Sequence, residues 1–521
     1  MIGEGPKSSS EQSATGLSGN DVIVVIRADA DSGIGLGHVA RCLSLAEALK
    51  AFGCRVVLVS ASALPEVLLS KAKGVVDCRV MVEKHDELQG FVDSLGSEIP
   101  DWVVVDSYSI DAGWHSSIRR QYGCRLVVID DLADRPLAAD IVVDHNLSPD
   151  ARAKYHDVVN PGTRILSGPS YALISSGYAA VTSRQPSAIV RSIGIFLGGT
   201  DPLGLSGELL RICRTEAAFD GDIELVSTSA NANLESLRRA CEGPLNAKLS
   251  IDLPDLIEFH QRHDVYIGAG GGSAWERCRC GVPALVVGLA DNQRVVLEAL
   301  GSLGAAMCVY WRGASALSEI SAKLQRMLAD HQLRKVMVAA SLELVDGNGA
   351  FRIAAAMMTS SLTVRSATID DAQMMYRWRN HPFVRRVSRD SMPIDFDSHL
   401  RWLESALQSE SRHVMIAEIN GRGVGVIRYD DLSDDTLEVS LYCDPGLTGI
   451  GIGSTMLNAG EREMAGRLSA HVTVTAFVLP GNESSERMFK RAGFVERDGI
   501  WRKALSPSVA RRSGLHLGGC A

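Results

Sequence analysis

Short, almost wholly aliphatic runs separated by amphipathic stretches set the strongest limit on what this chain can fold into. Val22-Ile23-Val24-Val25-Ile26, Arg55–Ser60, Trp102–Asp106, 126–130 and Ile141–Asp144 are such runs. A strand covered on both faces has no polar side, so it reads as a continuous apolar run and not as an alternation. Helical periodicity lies between them at 39–52 and 113–122. Strand and helix in turn predict a doubly wound α/β domain on a parallel sheet. The pattern restarts near Ser192: a strand at 193–197 ends in Gly198-Gly199-Thr200-Asp201-Pro202, a helix begins about Leu205, and strands follow at 223–227, 265–267 and 284–287. The expectation is two Rossmann-like domains, 21–184 and 185–350, joined by a polar hinge at 185–191.

A third unit, 362–505, has another character. After a polar break at 346–349 and a helix ending about Met358 come strands at 363–366, 414–419, 423–429 and Thr436–Cys443. A glycine turn and helix (447–465), a strand (471–478) and a helix (484–492) follow. Consecutive strands without crossover helices make this an α+β domain. Residues 1–20 and 506–521 read as loose tails.

The chain has 521 residues, which suits several domains at about 150 residues each. Its net charge of -9 gives no general attraction to nucleic acid or anionic lipid, and no apolar run reaches the ~20 residues of a membrane span. The eleven cysteines are scattered singly apart from Cys278-Arg279-Cys280, a usage that fits reduced thiols and a cytoplasmic protein. No acidic cluster plainly chelates a metal. Asp130-Asp131 reads as loop structure at a strand end, so no metal is expected.

Three glycine loops carry the chemistry. In the first, a strand leads through Arg27-Ala28-Asp29 and Gly33-Ile34-Gly35-Leu36-Gly37 to His38 at the start of a helix. Free amides at a helix N-terminus bind anions, and glycine lets the backbone come close. An anion site alone needs no imidazole, whereas a histidine, with its usual pKa of ~6.5, suits proton acceptance at neutral pH. In the second, Gly268-Ala269-Gly270-Gly271-Gly272-Ser273-Ala274-Trp275-Glu276 again joins a strand to a helix, so a diphosphate fits its amides; Glu276, a turn into the helix, reads either as an acceptor for ribose hydroxyls or as a solvated helix carboxylate. In the third, Leu447-Thr448-Gly449-Ile450-Gly451-Ile452-Gly453-Ser454 opens the helix of the α+β unit, with Asn482 downstream.

Ile34-Gly35-Leu36-Gly37-His38, Asp106-Ser107-Tyr108, Gly168-Pro169-Ser170-Tyr171-Ala172-Leu173, Gly198-Gly199-Thr200-Asp201 and the Gly270–Glu276 run occur in order. Together they resemble the UDP-sugar hydrolases of pseudaminic acid biosynthesis, relatives of GT-B glycosyltransferases, over about residues 21 to 350. The resemblance implies a GT-B type pair of domains that releases UDP from UDP-2,4-diacetamido-2,4,6-trideoxy-β-L-altropyranose. His38 matches the water-activating base, Tyr108 and Asn292 the sugar site, and Gly271, Gly272, Ser273 and Glu276 the UDP loop. Arg27, Asp29, Gly37, Gly199 and Thr200 are counted with the substrate-binding groups. UDP is a good leaving group, so helix N-termini and one base suffice, with inversion.

The third loop, Asn482 and Phe489-Lys490-Arg491-Ala492-Gly493-Phe494 resemble GNAT acetyltransferases, and Trp378-Arg379-Asn380-His381-Pro382 resembles the amino-sugar N-acetyltransferase of the same pathway. This implies acetyl-CoA as cosubstrate, with Tyr442, Thr448, Gly449, Gly451, Gly453, Ser454 and Asn482 binding it and a UDP-4-amino sugar as acceptor. Glu438 on the central strand is the candidate base for the amine proton; a structural strand carboxylate is the other reading. Thr448 stands where relatives carry Arg or Gln, and Phe489 where many carry the tyrosine that reprotonates the thiolate. Two alternatives stay open: a GT-B glycosyltransferase with an acceptor other than water, and a third unit that senses CoA or acts on a different substrate.

Overall fold

A computed structural model describes residues 22–30, 36–81 and 86–508. The tail at 1–20, most of the tail at 506–521 and the loop glycines Gly33 and Gly35 lie outside them. The first sheet is β1 (Ile23–Ala28), β2 (Arg55–Ser60), β3 (Asp77–Val80), β4 (Trp102–Asp106), β5 (Arg125–Ile129), β6 (Ile141–Asp144) and β7 (Arg164–Ser167). Its order is β3-β2-β1-β4-β5-β6-β7, and neighbouring strands pair in parallel. The second sheet repeats the plan with β8 (Ser192–Phe196), β9 (Asp222–Ser227), β10 (Lys248–Ile251), β11 (Val265–Ala269), β12 (Ala284–Gly288) and β13 (Met307–Tyr310), in the order β10-β9-β8-β11-β12-β13. Central strands are buried along their whole length, as at Trp102–Asp106 and Val265–Ala269. In each sheet the order reverses beside the first strand, and a crevice opens there at the carboxyl ends. The chain thus has the two doubly wound domains that the aliphatic runs predict.

The helix Gly349–Met357 leaves the second sheet and returns to the first. Ala350, Ile353, Ala354 and Met357 join Val39, Leu43 and Ala46 of the helix Gly37–Ala51 in one core. The third sheet begins directly after it: β14 (Leu362–Ser366), β15 (Arg412–Ile419), β16 (Arg422–Ser433), β17 (Thr436–Cys443), β18 (Val472–Phe477), β19 (Val495–Arg497) and β20 (Ile500–Leu505). Its order is β14-β15-β16-β17-β18-β20-β19. Only β17 and β18 run parallel, and they pair over no more than Thr436–Glu438 against Thr473–Thr475.

The third sheet is no bead on a string. Met415, Ala417, Ile419 and Val424 share the first domain's core. Phe52 and Phe351 stack at 4.9 Å, with the Arg422 guanidinium 4.4 Å from the Phe351 ring centroid. The Asn420 side chain donates to the Phe52 carbonyl at 2.9 Å. Among the described residues no helix is long and apolar enough to cross a membrane.

Candidate active sites

At the first switch point, Asp106 ends β4 fully buried. Arg41 grips it with two nitrogens, Nε to Oδ2 at 2.6 Å and Nη2 to Oδ1 at 2.5 Å. His38 Nδ1 lies 2.6 Å from the same Oδ1. Burial alone would raise the Asp106 pKa, but the Arg41 charge and hydrogen bonds, with His38, hold it well below the usual carboxylate range. An ionised carboxylate only accepts, so Nδ1 is the donor to Asp106; in a neutral imidazole of that tautomer Nε2 is the acceptor. Tyr108 packs edge-on against the imidazole, with centroids 5.1 Å apart. Its hydroxyl donates to Asp131 Oδ1 at 2.6 Å, and Asn146 Nδ2 donates to Oδ2 at 3.0 Å. His145 is buried beside this group and is pushed down to about 3 by desolvation and then by Arg41, so it stays neutral.

Arg27 and Asp29, expected to meet substrate, are turned inward. Arg27 is 2% exposed and donates to Asp29 Oδ1 at 2.6 Å and Glu87 Oε1 at 2.7 Å. Asp29 Oδ1 also accepts the Ala61 amide at 2.7 Å. A guanidinium held by two carboxylates braces strand ends and has little left for a ligand. The pair Asp130-Asp131 is likewise engaged, Asp130 by Arg135 at 2.8 Å and Asp131 as above. Among the described residues, no group of three or more His, Cys, Asp or Glu side chains is placed to hold a metal ion.

The two domains meet at their loops. A Cβ on Gly199 would lie 2.9 Å from Leu36 Cδ1, so glycine is required for this approach. Asp201, next after Thr200, caps the helix Ser206–Arg211 by accepting from Leu205 and Ser206 amides at 3.1 and 2.9 Å. That N-terminus is closed. Among the described residues the helices Gly37–Ala51 and Ser273–Cys280 have no side-chain cap; in the second the Ala274 and Trp275 amides turn back to the Gly271 and Gly272 carbonyls, which leaves the Ser273 amide to an anion. Around the second, Gly270 is pressed against Leu297, whereas a Cβ on Gly271, Gly272 or Gly37 would meet nothing within 4 Å. Packing does not demand glycine at those three positions. Glu276, half-buried, is pushed up to about 7 by desolvation; Lys71 of the first domain lowers it and Asp255 raises it again. Asn292 lies on the 3-10 turn Asp291–Gln293.

In the third sheet, β17 and β18 part beyond Glu438 and leave a cavity of about 550 Å³. Glu438, Tyr442, Asn482 and Phe489 line it together with Arg379 and Arg389. Glu438 is ion-paired with Arg389, whose guanidinium also stacks 4.6 Å from the Phe477 centroid. Burial raises the Tyr442 phenol. Thr448 is extended, and Gly449 and Gly451 adopt φ of 85° and 71°, which favour glycine. The helix Ile452–Arg467 starts at Gly451 without a side-chain cap. Gly453 allows Met488 Sδ to approach, 3.0 Å from where a Cβ would stand, and Ser454 donates its amide to Gly451 at 3.2 Å. Asn482 Oδ1 caps the helix Glu483–Arg491 through the Ser485 amide at 3.2 Å.

Sequence reasoning missed Arg41, although its i+3 spacing from His38 puts both on one helix face. It also missed the Arg389 pairing of Glu438, which joins residues 49 apart.

Residues 361–495 match the sequence model of the family described as Acetyltransferase (GNAT) domain. Acetyltransferase PseH of Campylobacter jejuni (strain 81-176) is 25% identical over 128 residues, 25% of this chain and 79% of that protein. UDP-2,4-diacetamido-2,4,6-trideoxy-beta-L-altropyranose hydrolase of Campylobacter jejuni is 24% identical over 238 residues, 45% of this chain and 80% of that protein. The uncharacterized protein MJ1062 of Methanocaldococcus jannaschii is 22% identical over 495 residues, 90% of this chain and 96% of its own length. The N-terminal part is therefore homologous to the hydrolase, and the C-terminal part carries a GNAT domain homologous to PseH.

Proposed function

We propose that the chain is a bifunctional enzyme acting at consecutive steps on one nucleotide sugar. The GNAT domain transfers acetyl from acetyl-CoA to the 4-amine of a UDP-4-amino sugar. The paired α/β domains then hydrolyse UDP-2,4-diacetamido-2,4,6-trideoxy-β-L-altropyranose to the free sugar and UDP. The observation that supports the hydrolase reading is the Asp106–His38 pair, set at the start of a helix whose N-terminus has no side-chain cap. In this reading Nε2 takes a proton from water as its oxygen attacks the anomeric carbon. The bond to UDP breaks on the opposite face, giving inversion, and the amides of Gly37, Gly271 and Gly272 receive the diphosphate charge. In this reading Tyr108, Gly199, Thr200 and Ser273 bind the sugar and nucleotide, and Asn292 keeps the sugar-site role that the resemblance gives it.

In the GNAT cavity the substrate amine attacks the thioester carbonyl, Glu438 accepts the amine proton, and the CoA thiolate leaves. Arg389 is a ready ligand for the diphosphate of the acceptor, and its move from Glu438 to phosphate frees the carboxylate. The test is incubation of the full chain with the UDP-4-amino sugar and acetyl-CoA, following CoA and UDP together. CoA release followed by UDP release, both dependent on acetyl-CoA, is expected. No UDP from the diacetamido substrate overturns the hydrolase reading, and no CoA release overturns the transferase reading.

Glu276 gives a pH signature. Its carboxyl, at about 7, is ionised only above neutrality, and a carboxylate accepts from ribose hydroxyls better than a neutral acid. UDP binding is expected to tighten severalfold from pH 6 to pH 8 in titration calorimetry, and to change less with pH in Glu276→Gln, where only the second ionisation of the UDP phosphate, at about 6, is left from this pair. Because the folded pKa lies above the unfolded value of ~4.3, folding favours the protonated form, and stability falls as pH rises between the two. Glu276→Gln is therefore expected to raise Tm by about a few degrees at pH 8 while weakening UDP binding.

A further inference from the structure

The turn assigned to the pyrophosphate of acetyl-CoA is not held by its own domain alone. Arg164, on β7 of the first sheet, donates through Nη2 to the carbonyl of Ile450. Tyr171, on the 3-10 turn Pro169–Tyr171, donates its hydroxyl to the carbonyl of Gly449 at 3.3 Å. The chain has no cis peptide bond among the described residues, and in a trans peptide the carbonyl and the following N–H point opposite ways. Anchoring the Gly449 and Ile450 carbonyls on the first domain therefore turns the N–H groups of Ile450 and Gly451 away from it. Among the described residues, neither N–H has a protein acceptor. They are the donors an anion at the N-terminus of the helix Ile452–Arg467 would meet.

Arg164 has no carboxylate in ion-pair reach among the described residues; burial lowers its pKa and only Tyr171 opposes that. Its hydrogen bond goes to the turn. Tyr171 is braced from behind. A Cβ on Gly349 would lie 2.5 Å from the Tyr171 carbonyl carbon, and Arg352 Nη1 donates to the Ser170 carbonyl at 2.7 Å. Asn348 in turn sits 3.2 Å from where a Cβ on Gly446 would stand, just before the glycine turn.

We propose that Arg164 and Tyr171 are positioning residues of the acetyltransferase: the hydrolase half pre-sets the Gly449–Gly451 turn for the pyrophosphate of acetyl-CoA. Thr448 offers no long side chain to do so from within the domain. This rests on the reading of the turn as the acetyl-CoA site.

The test uses the full chain as Arg164→Met, Tyr171→Phe and the double variant. CoA binding is measured by calorimetry, acetyl transfer with acetyl-CoA and with S-acetylpantetheine, which lacks the pyrophosphate, and UDP release from the diacetamido substrate. Each single change is expected to raise the CoA Kd and the acetyl-CoA KM about five- to tenfold, with kcat, turnover of S-acetylpantetheine and UDP release within twofold. Arg164→Lys is expected to recover part of the loss. A CoA Kd within twofold of wild type in the double variant overturns the proposal, as does equal loss with both acetyl donors. Absence of CoA binding in the wild type overturns the acetyl-CoA reading itself, and the proposal with it.

Discussion

His38→Ala is expected to reduce UDP release from the diacetamido sugar by about 10²–10⁴-fold, the span a positioned general base contributes, with acetyl transfer unchanged. The imidazole has one role open to it. Asp106 is buried, ionised and gripped by Arg41, so Nδ1 is committed as donor and Nε2 faces outward as acceptor. Tyr108 at its edge limits ring rotation. Alanine removes the base and leaves the Arg41–Asp106 pair intact, so the fold should survive and Tm should move little. Steady-state UDP release, with CoA release as internal control, checks the prediction. Undiminished UDP release would remove the imidazole from the mechanism.

Gly349→Val is expected to be the most damaging single change to the fold. A Cβ there would stand 2.2 Å from the Ala172 carbonyl oxygen and 2.5 Å from the Ala172 nitrogen, both backbone atoms of another segment. Neither can swing aside as a side-chain tip can, so the return helix must lift from the first domain. Overpacking of this kind costs about 1–3 kcal/mol in a compliant core and more against rigid backbone. Thermal unfolding should shift down by about 10 °C or more, and both activities should fall together because the same contact braces Tyr171. Gly271→Ala is the contrasting case. Its Cβ meets nothing within 4 Å, so Tm should hold while UDP affinity falls. Equal stability of Gly349→Val and wild type would show that the helix is free to shift.

Much of this architecture could be read from residue order, and the exceptions share a cause. Runs buried on both faces, such as Trp102–Asp106, have no competing interpretation. The strands that escaped notice, β3, β7, β10 and β13, lie at sheet edges, where only partial cover leaves polar residues and blurs the apolar signal. β19 is exposed throughout and β20 mostly half-buried, so neither shows a strong period. In the sites, glycines and His38 stood out because their chemistry is local. Pairings were not local. Arg27 is paired by Glu87 from 60 residues away, and Arg164 reaches Ile450 across 286 residues. The Cβ collision that fixes Gly349 depends on Tyr171 and Ala172, near the end of the first domain.

The apolar seam between the first sheet and the third makes the two parts of the chain hard to separate by simple cutting. Severing the chain between Met358 and Leu362 would wet Phe52, Phe351, Met415 and Ala417 at once and leave each fragment with a sticky face. A free-standing counterpart of either half needs a different exterior at that place. Fusion here is written into the interior of the protein, and a linker of any length would not reproduce it.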